Sequence, residues 1–156
     1  MNYVEQKEMD QFFMAKALSL AEEAFLASEV PVGAVIVKDG QIIATGKNQR
    51  EALANPLSHA EIHAISEASS VLNAWRLTGC TLYVTLEPCP MCAGAILNAR
   101  IDRVVYGASD ASVGAVGSVA HLFDMPFGHR PTVTPHVLEE ECGNLLSRFF
   151  SALREK

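Results

Sequence analysis

Positive charge is scarce in this chain. Its 156 residues carry 12 Lys and Arg against 18 Asp and Glu, a formal net charge of −6. Generic affinity for phosphate polymers grows with cationic surface, so broad coating of nucleic acid is disfavoured. Long apolar runs are missing as well. Stretches such as Val32 to Val37 fall far short of the roughly 20 residues that cross a bilayer. The first residues set Glu5, Lys7, Glu8 and Asp10 in an amphipathic pattern, expected of neither a signal peptide nor a transit peptide. No internal repeat, low-complexity tract or linker is visible, and one domain over residues 1–156 is the expectation. Cysteine is limited to four residues. Cys80 and Cys142 have apolar or small neighbours and read as buried core residues. A cytoplasmic protein without a membrane partner is therefore expected.

Apolar residues make up 49% of the chain, ample for a core. Phe13, Ala17, Leu20 and Ala24 recur at helical spacing and predict an amphipathic helix from about Lys7 to Ser28. Val32 to Val37 reads as a buried strand, and Asp39-Gly40 as a hairpin turn returning through Gln41 to Thr45. A loop over 46–58 leads to a helix ending near Ser70, and Ser58 with Glu61 fits a capping box. Further on, strand Thr81–Leu86, helix Met91–Ala99 and strand Arg103–Gly107 alternate, which favours parallel pairing. A Gly- and Pro-containing loop precedes a last strand, Thr132–Val137, and a closing helix from Glu139 to about Arg154. The fold class is α/β, a three-layer α/β/α sandwich with a five-stranded mixed sheet.

Two strings carry the chemistry: His59-Ala60-Glu61 and Pro88-Cys89-Pro90-Met91-Cys92. One imidazole and two thiolates suit Zn²⁺, and three protein ligands leave a fourth tetrahedral position open. A closed structural site would need a fourth Cys or His, and neither string supplies one. Glu61 is then free to move protons. His59 and His63 stand four apart, but the glutamate is at the third position, so H-E-x-x-H is not met. His63 reads as a packing or surface histidine. Both strings open predicted helices, whose N-terminal dipoles favour thiolates and hydroxide. One Zn²⁺ per chain, held by His59, Cys89 and Cys92 with Glu61 as the acid–base group, is the expectation.

The H-x-E and P-C-x-x-C pair resembles the signature of zinc-dependent nucleobase deaminases. The resemblance extends through Glu29 to Val35, Trp75 to Leu77, Thr81 to Cys89, Met91 to Ala95 and Val105 to Ala108, and is to the bacterial tRNA-specific adenosine deaminases. It implies a cytidine deaminase-like sandwich, a homodimer, and conversion of the wobble adenosine to inosine in a tRNA anticodon stem-loop. It also implies substrate contacts from Asn48 to the purine edge, from Asp110 beside the sugar–phosphate backbone, and from Arg130. Ser112 stands where relatives often carry lysine, and the tail offers only Arg148, Arg154 and Lys156. Lys47, Arg50, Arg76, Arg100 and Arg103 are candidates for a local basic patch. Ile96, Leu97 and Ile101 are candidates for a dimer surface. A free-base deaminase acting on guanine or cytosine, and a non-catalytic zinc module, are the competing readings.

Overall fold

The structure is a computed structural model and describes residues 1–155; Lys156 lies outside the described residues. The elements run α1 (Tyr3–Leu26), β1 (Gly33–Lys38), β2 (Gln41–Lys47), α2 (Ala60–Leu72), β3 (Cys80–Leu86), α3 (Pro90–Ala99), β4 (Arg103–Ala108), β5 (Thr132–Thr134) and α4 (Glu139–Arg154), with a 3₁₀ turn at Leu122–Asp124. The sheet order is β2-β1-β3-β4-β5. β1 is antiparallel to both β2 and β3, while β3, β4 and β5 run parallel. The expected mixed, five-stranded sheet is therefore present. Asp39 and Gly40 turn between β1 and β2 with φ of 51° and 75°, and the tight hairpin needs both positive.

Alternation along the strands builds two cores. Ala34, Ile36, Leu82, Val84, Val104 and Tyr106 face the alanine-rich sides of α2 and α3. Val35, Val37, Tyr83 and Val105 face Phe13, Met14 and Ala17 of α1 and Cys142 of α4. Helices thus cover both faces of the sheet in three layers. Cys80 and Cys142 are buried, as expected. Ile96 and Ile101 are fully buried and Leu97 is 8% exposed, so these three belong to the internal core and offer no dimer surface.

Some boundaries differ from the sequence reading, each for a local reason. α1 starts four residues early because Asn2 and Glu5 form a capping box: Glu5 N–H donates to Asn2 Oδ1 at 2.9 Å and Asn2 N–H to Glu5 Oε2 at 3.3 Å. It ends before Ser28, whose φ is 63°. β5 stops at Thr134 because Pro135 has no N–H to give the ladder, and His136 sits at φ 65°. Beneath the sheet's far end, Arg103 donates to both carboxylate oxygens of Asp10 at 2.9 and 2.6 Å, and the Tyr83 hydroxyl donates to Asp10 at 2.8 Å. Arg103 is therefore committed inside the fold and is withdrawn from the proposed basic patch.

Candidate metal centre and active site

His59 is the N-cap of α2 and Cys89 the N-cap of α3, both in extended backbone. The capping box expected from Ser58 does not form. Ser58 lies one residue before the cap, and its buried hydroxyl has no partner among the described residues. Glu61 is consequently free of capping duty. Pro90 opens α3, where its missing N–H costs nothing, and Cys92 follows in the first turn.

This arrangement brings the three ligands together. His59 Nδ1 lies 3.6 Å from Cys89 Sγ and 3.5 Å from Cys92 Sγ, with all three atoms within 4.8 Å of one another. Zinc–sulfur and zinc–nitrogen bonds of about 2.3 and 2.0 Å at a tetrahedral angle would put N and S about 3.5 Å apart. The residues fit Zn²⁺ by spacing and by ligand chemistry. His63 is not in the cluster; its Nε2 is buried without a partner among the described residues.

The electrostatics of the protein groups follow from burial and closeness. The Cys92 thiol against Cys89 pulls the Cys89 thiol down to about 4, against the cost of burial, with His59 assisting. Cys92 moves strongly upward because it donates to Cys89 and is itself buried. The Cys89 contact raises His59. Glu61 is 4% exposed; burial pushes its carboxyl up to about 7, and the Cys89 charge adds to this.

A cavity of about 170 Å³ opens over these groups, lined by Val30, Val32, Leu86 and Val113 with Asn48, Arg50, His59, Glu61, Glu87, Cys89 and Asp110. It is smaller than the 300 Å³ or more typical of drug-sized sites and suits one flat ring system. Asn48 reaches it, held by Nδ2 donating to Val30 O at 3.1 Å and by Oδ1 accepting from Arg50 N–H at 3.3 Å. Asp110 lines it as well, its Oδ1 accepting from the Ser112 and Val113 N–H groups at 2.9 and 3.2 Å. Arg130 does not. It lies in a separate groove with His121 and Phe123, and its guanidinium donates to Asp124 at 2.6 Å.

Two further carboxylates shape the site, and neither was assigned a role from sequence. Glu29, 2% exposed, accepts from Glu51 N–H at 2.9 Å and Ala52 N–H at 2.7 Å. Glu87, also 2% exposed, accepts from the N–H groups of Asp110, Val116 and Ser118 at 3.1, 3.2 and 3.0 Å and from the Ser118 hydroxyl. Each pins one of the loops that wall the cavity. The only sequence signal was a charged residue set among apolar ones.

Helices on both faces of a mixed sheet, with a His/Cys/Cys cluster and a buried glutamate at two helix starts, define a deaminase; the family model of the MafB19-like deaminases matches residues 8–154. The chain is 48% identical over 148 residues to a tRNA-specific adenosine deaminase of Bacillus subtilis (strain 168), covering 94% of this chain and 92% of the relative. A structure solved in studies of A-to-I editing by tRNA:A34 deaminases superposes with a TM-score of 0.83 at 45% identity, covering 86% of this chain and 98% of the other. A guanine deaminase from Nitrosomonas europaea is more distant, at TM-score 0.75 and 25% identity over 90% of this chain and 84% of its own. The chain belongs to the family of tRNA-specific adenosine deaminases.

Proposed function

We propose that this protein is a single-domain, zinc-dependent enzyme that hydrolyses the wobble adenosine of a tRNA anticodon loop to inosine and ammonia. The observation that carries the reading is Glu61, buried in the cavity beside three converging ligands and free of any capping role. Its relatives of 45–48% identity, described as tRNA-specific adenosine deaminases and tRNA:A34 deaminases, support the substrate.

Zn²⁺ held by His59, Cys89 and Cys92 supplies Lewis-acid activation of water near neutral pH and stabilises developing negative charge. Glu61, its carboxyl pushed upward by burial, is positioned to both accept and return a proton. It takes one proton from the attacking water and delivers it to a ring nitrogen, then takes the second from the hydroxyl now on the ring carbon and passes it to the amine, which leaves as ammonia. Val30, Val32, Leu86 and Val113 line the cavity and offer apolar surface against which a flat base can pack. Asn48 has one amide hydrogen left after its bond to Val30 O, available to an acceptor on the purine edge. Asp110 stands at the sugar side. Arg130, paired with Asp124 outside the cavity, is assigned at most to RNA remote from the reacting base.

A cytoplasmic homodimer is part of the proposal. No helix among the described residues is long and apolar enough to cross a membrane. An open groove between α2 and α3, lined by Ile62, Ile65, Trp75, Ala95 and Ala99, replaces Ile96, Leu97 and Ile101 as the candidate surface. The deciding assay is incubation with an anticodon stem-loop bearing a wobble adenosine, scored for inosine. Conversion is expected, with zinc near one per chain. Rapid turnover of free guanine and no inosine in the stem-loop would reassign the chain to the free-base deaminases.

A further inference from the structure

The RNA substrate brings phosphates to a cavity walled by Glu61, Glu87 and Asp110. One or more cations are needed at its mouth to receive them. Most candidates are already engaged. Lys47 pairs with Glu23 at 3.1 Å, Arg103 with Asp10, and Arg130 with Asp124. Arg76 and Arg100 stack on Trp75, their guanidinium carbons 4.5 and 5.8 Å from the ring centroid, beside the α2–α3 groove rather than the cavity.

Arg50 differs from all of these. It is the cationic side chain among the cavity's lining residues, it is exposed, and its guanidinium makes no hydrogen bond or ion pair among the described residues. Its backbone, by contrast, is clamped. Arg50 N–H donates to Asn48 Oδ1, Asn55 N–H donates to Arg50 O at 3.1 Å, and the next two N–H groups donate to buried Glu29. A fixed stem carrying a free planar cation is a pre-organised anion receptor. The clamp also runs through Asn48, so the group facing the base and the group facing the backbone share one short, rigid segment.

We infer that Arg50 is a substrate-binding residue that takes the phosphodiester flanking the flipped adenosine. The inference rests on the RNA-deaminase reading above, and its test separates the two. Wild-type protein, zinc-loaded, is assayed on the stem-loop with natural linkages and with an uncharged methylphosphonate linkage placed in turn 5′ and 3′ of the target adenosine. Arg50→Gln and Arg50→Lys are run alongside. Inosine formation by wild type tests the reading itself. If Arg50 contacts the phosphate, Arg50→Gln raises KM about tenfold, the scale of one charged hydrogen bond, while kcat stays within about twofold. The log–log salt slope of affinity becomes shallower by roughly 0.7, the value for one phosphate on a single strand. Arg50→Lys restores most of the loss. One methylphosphonate position weakens wild type to the level of Arg50→Gln and leaves that variant unchanged. Zinc content and melting temperature stay constant across the set. Conversion by wild type together with an unaltered KM in Arg50→Gln overturns the inference, as does a methylphosphonate loss of equal size in wild type and variant at both positions.

Discussion

A carboxylate placed where little water reaches it is held at a cost, and Glu61 is such a residue. Its carboxyl rises from an ordinary 4.5 to about 7 because burial penalises the charged form. The folded state therefore binds the proton more tightly than the unfolded chain does. That stabilisation is complete below about 4.5 and is lost as pH climbs through 7. Glu61→Gln is expected to keep zinc but to lose about 10²- to 10⁴-fold in rate, the usual scale for a positioned acid–base group. In chelated protein the same change should stabilise the fold above pH 7 by up to about 3 kcal/mol, and hardly at all at pH 4. Urea unfolding of both chelated proteins at the two pH values reads this difference. A variant less stable than wild type at pH 8, or one with unimpaired turnover, would remove Glu61 from its acid–base role.

At the scale of elements, the cavity is made by two helix starts and two loops, and the loops hang on buried anions. Burial opposes ionisation of Glu87, yet the Ser118 hydroxyl and the N–H groups of Asp110, Ser118 and Val116 outweigh it and hold the carboxyl below its usual range. Asp10 is likewise held low, with Arg103, Tyr83 and Gln6 overcoming its burial. For depressed carboxylates the stability is present above the unfolded value and vanishes as pH falls through the folded one. The contribution of these two carboxylates to chemical denaturation midpoints should hence be constant near pH 5–6, where only the Glu61 slope remains, and be lost below about pH 4. Gly114 packs directly against the Glu87 carboxylate, where a Cβ has no room. Gly114→Ala is expected to cost about 1–3 kcal/mol by overpacking and to raise KM for the stem-loop by displacing Asp110 and Val113. An unchanged melting temperature would mean that the loop yields freely. The His/Cys/Cys cluster was readable because metal-ligand chemistry is written in short spacings: two residues from His59 to Glu61, three from Cys89 to Cys92. The strands were readable from short runs of apolar and β-forming residues and from the Asp39-Gly40 turn. Glu29 and Glu87 were not, since their partners lie 22 to 31 positions away and no local pattern marks an anion that will be wrapped by a loop. Ser58 shows the opposite error. The capping-box letters are present, but the backbone turns into α2 at His59, whose ring lies against Cys89 and Cys92.

On the whole-molecule scale, the formal charge of −6 must be squared with an RNA substrate. Cations near the sheet and helices are largely spent inside the protein, in the Arg103–Asp10, Lys47–Glu23 and Arg130–Asp124 pairs. What remains near the chemistry is a narrow apolar cavity with Arg50 at its edge. Such a surface recognises a loop by shape and by one extruded base, which an anticodon loop already presents unpaired, more than by counting phosphates. Affinity for the stem-loop should consequently depend weakly on salt. Three neutralised phosphates on single-stranded RNA give a log–log slope of roughly −2, whereas six or seven give about −4 to −5. Free adenosine, lacking the flanking chain, should be deaminated little or not at all. A titration of KM from low to physiological salt measures the slope directly. A value near −4 would require a larger cationic surface than one chain provides, assembled across the α2–α3 groove where Arg76 and Arg100 flank Trp75. In that event dilution below the dimer's dissociation constant would flatten the slope along with the activity. A slope near −2 that survives dilution keeps the phosphate contacts within a single chain, with Arg50 supplying one of them.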